Sequence, residues 1–375
     1  MTYPERFSRR RASALLAAAL ASPLGSARAG AQSGIAKPVN APPPDAPRPL
    51  AFPADSGPHD DAATEWWYYT GHLATEDGDR YGFEFVIFRA RRGDLEGYVS
   101  HFAVTDAGAG TFQYDQRIVG PRGVRGDRVA MDLAIDGWSM LGEGGRDELR
   151  ADLPGYGIDL ALEPGKPAAL HQGDGYIDYG NGTHSWYYSR TRMPIAGVLR
   201  VGDEDLRVTG AGWMDHQWGN FTTFEDGGWD WYAIQLQDEF EVMLYVIHDG
   251  AGRPLMVDGS IVDAAGTLTV LGADEFRIDP LGTWTSPETG VTWPQGWEIA
   301  VAPERLALTV TPVLPDQELD TRFSTGIIYW EGACTVSGSK SGEPIGGDAY
   351  VELTGYAPVE PVTALGSPAT PVAPE

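Results

Sequence analysis

Residues 213–219 read Trp-Met-Asp-His-Gln-Trp-Gly, an imidazole and a carboxylate enclosed by two indoles within seven positions. Such groups can take or give a proton beside broad aromatic faces. In an extended strand, side chains two apart share a face. Met214, His216 and Trp218 then lie on one side, and Trp213, Asp215 and Gln217 on the other. His216 beside Trp218 places a general base next to a ring. The plainer role for this histidine is a core residue bonded to backbone.

An acid partner must be a carboxyl kept neutral by an apolar setting. Four carboxylates sit among aromatics: Glu65 in "TEWWYY", Glu84 in "GFEFVIF", Asp230 in "GWDWYA", and Asp215 itself. Asp230 is flanked by Trp229 and Trp231 and shares a face with Tyr232. Asp215 can instead hold His216. Each carboxylate has a structural alternative, pairing with an arginine such as Arg190 or Arg192 of "YYSRTRM". His216, Asp215, Asp230 and Glu65 are the candidate catalytic groups. Trp218, Tyr232, His101, Tyr245 and Trp66 are the candidate substrate-binding side chains.

Other chemistries lack their spacing. The seven histidines fall at 59, 72, 101, 171, 184, 216 and 248, with no H-E-x-x-H or H-x-H pair and no second cysteine, so no metal motif is present. No G-x-S-x-G elbow or phosphate-binding G-x-x-x-x-G-K-[ST] loop occurs. "GDGYIDYGNG" from Gly173 misses the EF-hand spacing and reads as a loop. Cys334, the single cysteine, lies in a strand-like run and is expected to be buried and inert.

The elements that must position these groups are strands. Short alternating runs such as "YGFEFVIFRA", "VAMDLAIDGWSM", "FEVMLYVIHD" and "WEIAVAPERLALTVTPV" are separated by Gly, Asp and Pro, and helical periodicity is nearly missing. "TEDGDR" marks a hairpin with Asp-Gly at its tip. This predicts an all-β protein of two barrel-like domains, spanning residues 51–225 and 226–356. A Pro/Ala-rich leader (30–50) and a similar tail (357–375) are expected to stay unfolded. Residues 1–29 have an arginine cluster, an apolar run and an Ala-Arg-Ala end, the pattern of a signal peptide. Arg9, Arg10 and Arg11 suggest twin-arginine export to the periplasm or beyond. Removing this segment's net +4 from a total of −26 leaves −30, which argues against nucleic acid or an anionic membrane as partner. No stable membrane anchor is expected.

"TEWWYYTGHL", "SHFAVTD", "YYSRTRM", "GAGWMDHQWG", "YWEGACTVSG" and "AYVELTGY" occur in one order along the body. Together they resemble the secreted lipocalin-like family that includes the carotenoid 1,2-hydratases (hydroxyneurosporene synthases) and the AttH-like bacterial proteins. The resemblance implies two lipocalin-like β-barrels side by side, with an apolar cavity near their junction. It also implies water addition to an isoprenoid double bond without a cofactor. Such hydration passes through a tertiary carbocation, which an aromatic face such as Trp218 stabilises. His216 would be the base or position the water. The function expected is thus a cofactor-free hydratase or isomerase, a hydro-lyase acting on an apolar isoprenoid- or lipid-like small molecule. A periplasmic carrier of such a ligand is the alternative, and a secreted hydrolase the second.

Overall fold

A computed structural model describes residues 47–93, 95–121, 124–125, 131–143, 145–180, 182–221 and 227–357. The signal peptide, most of the leader, the tail from residue 358 and the expected boundary at 225/226 lie outside the described residues. The described chain is nearly all β, in two antiparallel sheets.

The first sheet holds 13 strands between Thr64 and Gly219. Thr64–Thr75, Arg80–Arg92, Leu95–Asp106 and Thr111–Val119 follow one another as hairpins. Gly78 takes the positive φ (92°) at the first tip, where the Asp-Gly signal placed it. The strand Thr64–Thr75 pairs on its other edge with Glu204–Gly219, setting Glu65 opposite Trp218 and Trp67 opposite His216. Glu204–Gly219 in turn pairs with Thr183–Val201, with Tyr188 opposite His216. The second sheet has 10 strands between Gly228 and Leu353. Its Gly228–Leu236 pairs with Glu343–Leu353, which pairs with Ile328–Lys340.

Three runs fold differently from their sequence reading. "VAMDLAIDGWSM" turns at Asp136 and Gly137, both at positive φ (48° and 96°), and makes two strands. "WEIAVAPERLALTVTPV" also divides in two, Arg305 taking a φ of 49°. Tyr176–Gly180, expected as loop, is a short strand on the edge of Thr183–Val201.

Alternation sends Trp67, Tyr69, Phe83, Phe85 and Ile87 into the core of the first body. Tyr232, Trp297 and Trp330 pack the second. The intervening side chains are not exposed. Tyr68, Val86, Trp213, Trp231, Tyr245 and Tyr350 form a third buried cluster between the two sheets. Gly82 lies so close that a Cβ there would sit 2.5 Å from that of Ala333. Cys334 is buried in the second core, and burial pushes its thiol well up, so it is inert as expected.

Candidate functional site

The strand Glu204–Gly219 presents two chemical faces, and over residues 212–219 both are buried. Trp213, Asp215 and Gln217 face the second sheet; Met214, His216 and Trp218 face the first body's core.

On the junction side a cavity of about 80 Å³ opens between the sheets. Its walls include Trp66, Tyr68, Tyr187, Trp229, Trp231 and Tyr245, with Asp215, Gln217 and Glu352 as polar points. Asp215 is held by Tyr187 Oη (2.5 Å), Ser189 Oγ (2.5 Å) and Trp213 Nε1 (2.7 Å). Those donors favour the anion, but burial outweighs them and raises the carboxyl to about 6. Glu352, bonded only by Trp229 Nε1 (2.9 Å) among the described residues, is raised by burial to about 7.

A chain of hydrogen bonds leads away from Asp215. Ser189 also meets His171 Nε2 at 2.7 Å, and His171 Nδ1 faces Ser260 Oγ at 3.2 Å. Ser189 donates to Asp215, so His171 carries its hydrogen on Nε2 and accepts from Ser260. Burial drives His171 down to about 3, which keeps it neutral.

Glu84 and Glu331 lie beside the cavity, both buried, with Tyr68 Oη donating to Glu331 at 2.5 Å. Burial and the neighbouring Glu352 push both carboxyls well up. A folded-state pKa above the unfolded 4.5 contributes stability below pH 4.5 that fades as pH rises. Glu84→Gln is therefore expected to raise the melting temperature over wild type more at pH 8 than at pH 4.5. Thermal melts at both values check this, and an equal shift at the two would contradict it.

On the core side, His216 Nε2 meets Glu65 Oε1 at 3.0 Å and Nδ1 faces Tyr188 Oη at 3.3 Å. His59 Nδ1 approaches the same Glu65 oxygen at 2.7 Å, and its Nε2 meets Asp55 Oδ1 at 3.0 Å. Arg89 Nη1 binds the other oxygen of Glu65 at 2.9 Å. Trp218 stacks on His59, centroids 3.8 Å apart and planes 4° from parallel, and Trp67 stacks on His216 at 4.7 Å. Burial opposes the Glu65 charge, but the bonds from His216 and His59 win and bring it down to about 2. Burial also works against charge on His59, yet Asp55 and Glu65 raise it. His216 is lowered by burial, only partly offset by Glu65.

The expectation that His216 and Trp218 face the junction cavity is thus corrected. The alternation holds, but the opposite set of side chains points at the second sheet. Of the remaining candidates, Asp215, Trp66 and Tyr245 do line the cavity. Glu65 lies with His216 in the core, its arginine partner being Arg89; Arg190 pairs with Asp147 and Arg192 with Glu241. Asp230 accepts from Tyr356 Oη at 3.0 Å, near His248, and is not in the cavity wall. Tyr232 packs in the second core, 5.6 Å from the ring of Trp297. His101 bridges the bodies elsewhere, to Tyr329 Oη (2.7 Å) and Ser324 Oγ (2.9 Å). The reading missed Glu352, Tyr187 and His59. Glu352 and Tyr187 sit inside quoted motifs, so a rule weighing every carboxyl and phenol there would have found them. His59 carries no such signal.

A family model described as AttH-like matches residues 43–356. The chain belongs to the AttH-like family. An AttH of Nitrosomonas europaea of known structure is 30% identical, with 84% of this chain and 99% of that one covered and a TM-score of 0.76. Kievitone hydratase from Nectria haematococca shares the fold at 17% identity and a TM-score of 0.66, covering 86% of this chain and 98% of that one. CghA with Sch210972 is more distant, at 15% identity and 0.51, covering 82% and 97%. No match was found among curated proteins. The AttH-like fold explains the two-faced strand: a second sheet stacked on the first gives Asp215 a dry, walled setting that a single barrel would leave to solvent.

Proposed function

We propose that the junction cavity is the active site of a cofactor-free hydratase or isomerase acting on an apolar, unsaturated, isoprenoid- or lipid-like molecule. The observation that carries this reading is Asp215, a carboxyl raised to about 6 in the wall of an aromatic-lined cavity. With the proton on Oδ2, its bond to Tyr187 runs from acid to phenol, and the phenol hydrogen can turn toward the cavity. Protonating the double bond forms one C–H bond and leaves a carbocation and a carboxylate. The ring faces of Trp66, Trp229 and Trp231 stabilise that cation. Water then forms the C–O bond, and its surplus proton returns to Asp215. Loss of a different C–H proton to the same carboxylate gives isomerisation instead. His216, Glu65 and Trp218, on the far face of the strand, act here by positioning Asp215.

The enzyme is further proposed to work after export, in the periplasm or outside the cell, with no nucleic acid partner and no stable membrane anchor. A protein named as a hydratase has the same fold, and that likeness concerns the fold alone. The hydrolase alternative is disfavoured because no Ser, Cys or Lys is among the cavity's described lining residues. The carrier alternative predicts binding without chemistry. Incubation with terminally unsaturated isoprenoids in ¹⁸O-labelled, deuterated water separates the two. Label appearing at the double bond is expected; binding with no label in product or recovered substrate would leave the carrier.

The rate has a defined pH limb. Only protonated Asp215 donates, and that form disappears as pH rises through about 6. The single-turnover rate is expected to fall roughly tenfold per pH unit above that range. A rate that climbs with pH instead would assign the group the opposite role.

A further inference from the structure

The cluster on the other face of the strand has a geometry that proton transfer at the cavity does not use. His59 and Glu65 are six residues apart and His216 lies 151 residues beyond Glu65, yet His59 Nδ1, Glu65 Oε1 and His216 Nε2 lie within 4.8 Å of one another. We propose that His59, Glu65 and His216 form a divalent transition-metal site of the zinc class, holding the segment before the first strand onto the first body.

Three features of the geometry support this. The first is convergence. Two imidazole nitrogens aim at one carboxylate oxygen, at 2.7 and 3.0 Å. Zinc bonds of about 2.0–2.2 Å to nitrogen and oxygen set ligand atoms roughly 3.4 Å apart in a tetrahedron. The triangle needs to open by roughly 0.7 and 0.4 Å along these two edges.

The second is the outer layer. Metal-bound histidines characteristically give their other N–H to an oxygen, which fixes ring and tautomer. His59 Nε2 faces Asp55 Oδ1 at 3.0 Å, and His216 Nδ1 faces Tyr188 Oη at 3.3 Å. Asp55 is itself anchored by Arg48 at 2.5 and 2.8 Å and by the Ala51 amide. The second oxygen of Glu65 is taken by Arg89 and by the His59 amide, at 2.9 and 3.1 Å. Each ligand is thus oriented by a group that is not a ligand.

The third is packing. Trp218 covers the His59 ring and Trp67 the His216 ring. Glu65 and His216 are essentially inaccessible, while the side chain of His59 is about 10% exposed. The three donors leave one tetrahedral position, and the His59 side is where solvent reaches it. Two nitrogens and one carboxylate oxygen suit zinc, cobalt, nickel or iron(II) better than calcium or magnesium, which prefer all-oxygen sets.

The test uses untagged full-length protein stripped with chelator, dialysed, and titrated with Co²⁺ and with Zn²⁺. One Co²⁺ per chain is expected, with visible d–d absorption, displaced by one equivalent of Zn²⁺. Zn²⁺ should raise the melting temperature of the stripped protein. His59→Gln should abolish the cobalt spectrum, and Asp55→Asn should weaken zinc affinity by about 10- to 100-fold. His59 is the least buried ligand, so its variant is the one expected to fold, with circular dichroism as the check. Absence of Co²⁺ absorption at millimolar metal, or a spectrum that survives His59→Gln, overturns the site. No readout uses turnover, so failure here and failure of the junction active site are separable.

Discussion

Asp215→Asn is expected to lower turnover of an unsaturated apolar substrate by about 10²- to 10⁴-fold, the usual worth of a proton-transfer group. Ligand affinity should change little, and so should the melting temperature below about pH 4; above pH 6 it should rise, because the raised carboxyl no longer ionises in the fold. The reason is local. Asn keeps one oxygen to accept from Ser189 and Trp213, and its amide can donate to Tyr187, so the three bonds around Asp215 retain partners. Size and burial are also nearly conserved. What the amide lacks is a transferable proton. Stopped-flow turnover, ligand titration and calorimetry on the same preparation resolve the three quantities. Turnover at the wild-type rate would remove Asp215 from the chemistry and leave Glu352 as the remaining raised carboxyl in the wall.

Arg89→Met carries the largest expected cost in stability. Arg89 is about 2% exposed and meets Glu65, Glu96 and the His59 carbonyl. Burial acts against its charge, but Glu65 and Glu96 hold its pKa above the ordinary arginine value. Methionine fills much of the same volume yet takes the guanidinium from the buried Glu65 carboxylate, leaving it to His59 and His216 alone. Breaking a buried pair this way costs about 3–5 kcal/mol, or on the order of 10 °C in melting temperature. The double variant Arg89→Met, Glu65→Leu should recover part of that loss, because the carboxylate deprived of its guanidinium is removed with it. If the double variant is less stable than the single, packing rather than charge is what Arg89 supplies. In the unmodified protein the same carboxylate gives a pH signature. Its folded pKa, about 2, lies below the unfolded 4.5, so its stabilisation is complete above pH 4.5 and is lost as pH falls toward 2.

The strands were legible because alternation and Asp-Gly turns are local signals. The hairpin at Gly78 needs only its own residues, and so does the two-residue periodicity of 213–219. Which face of that strand meets the cavity was not legible. The answer depends on where a second sheet stacks, a matter settled by residues such as Gly82 and Ala333 that are far apart in sequence. Aromatics did not discriminate, since Trp213 and Trp218 are both buried on opposite sides. Glu65 was singled out from its two tryptophans, but its partners His59 and Arg89 could not be. Arg89 sits 24 residues away and reaches Glu65 only through strand pairing. Asp230 illustrates the converse error. Two flanking tryptophans enclose it in the sequence, yet flanking residues on a strand point to the opposite side, and its own face is only partly covered.

The pairing of Thr64–Thr75 with Glu204–Gly219 bears on how the chain comes to be built. The first strand's free edge has no partner until residues 204–219 have left the ribosome, and Gly228–Leu236 likewise waits for Glu343–Leu353. Neither half can complete its sheet in step with synthesis. Closing such distant pairings costs loop entropy before any contact repays it. Refolding is therefore expected in the millisecond-to-second regime of high-contact-order β proteins. The unpaired aromatic edge "EWWYYT" stays open to association meanwhile. A nascent chain arrested just before residue 204 would be sensitive to protease along its whole length, and one released after 219 would show its first protected fragment.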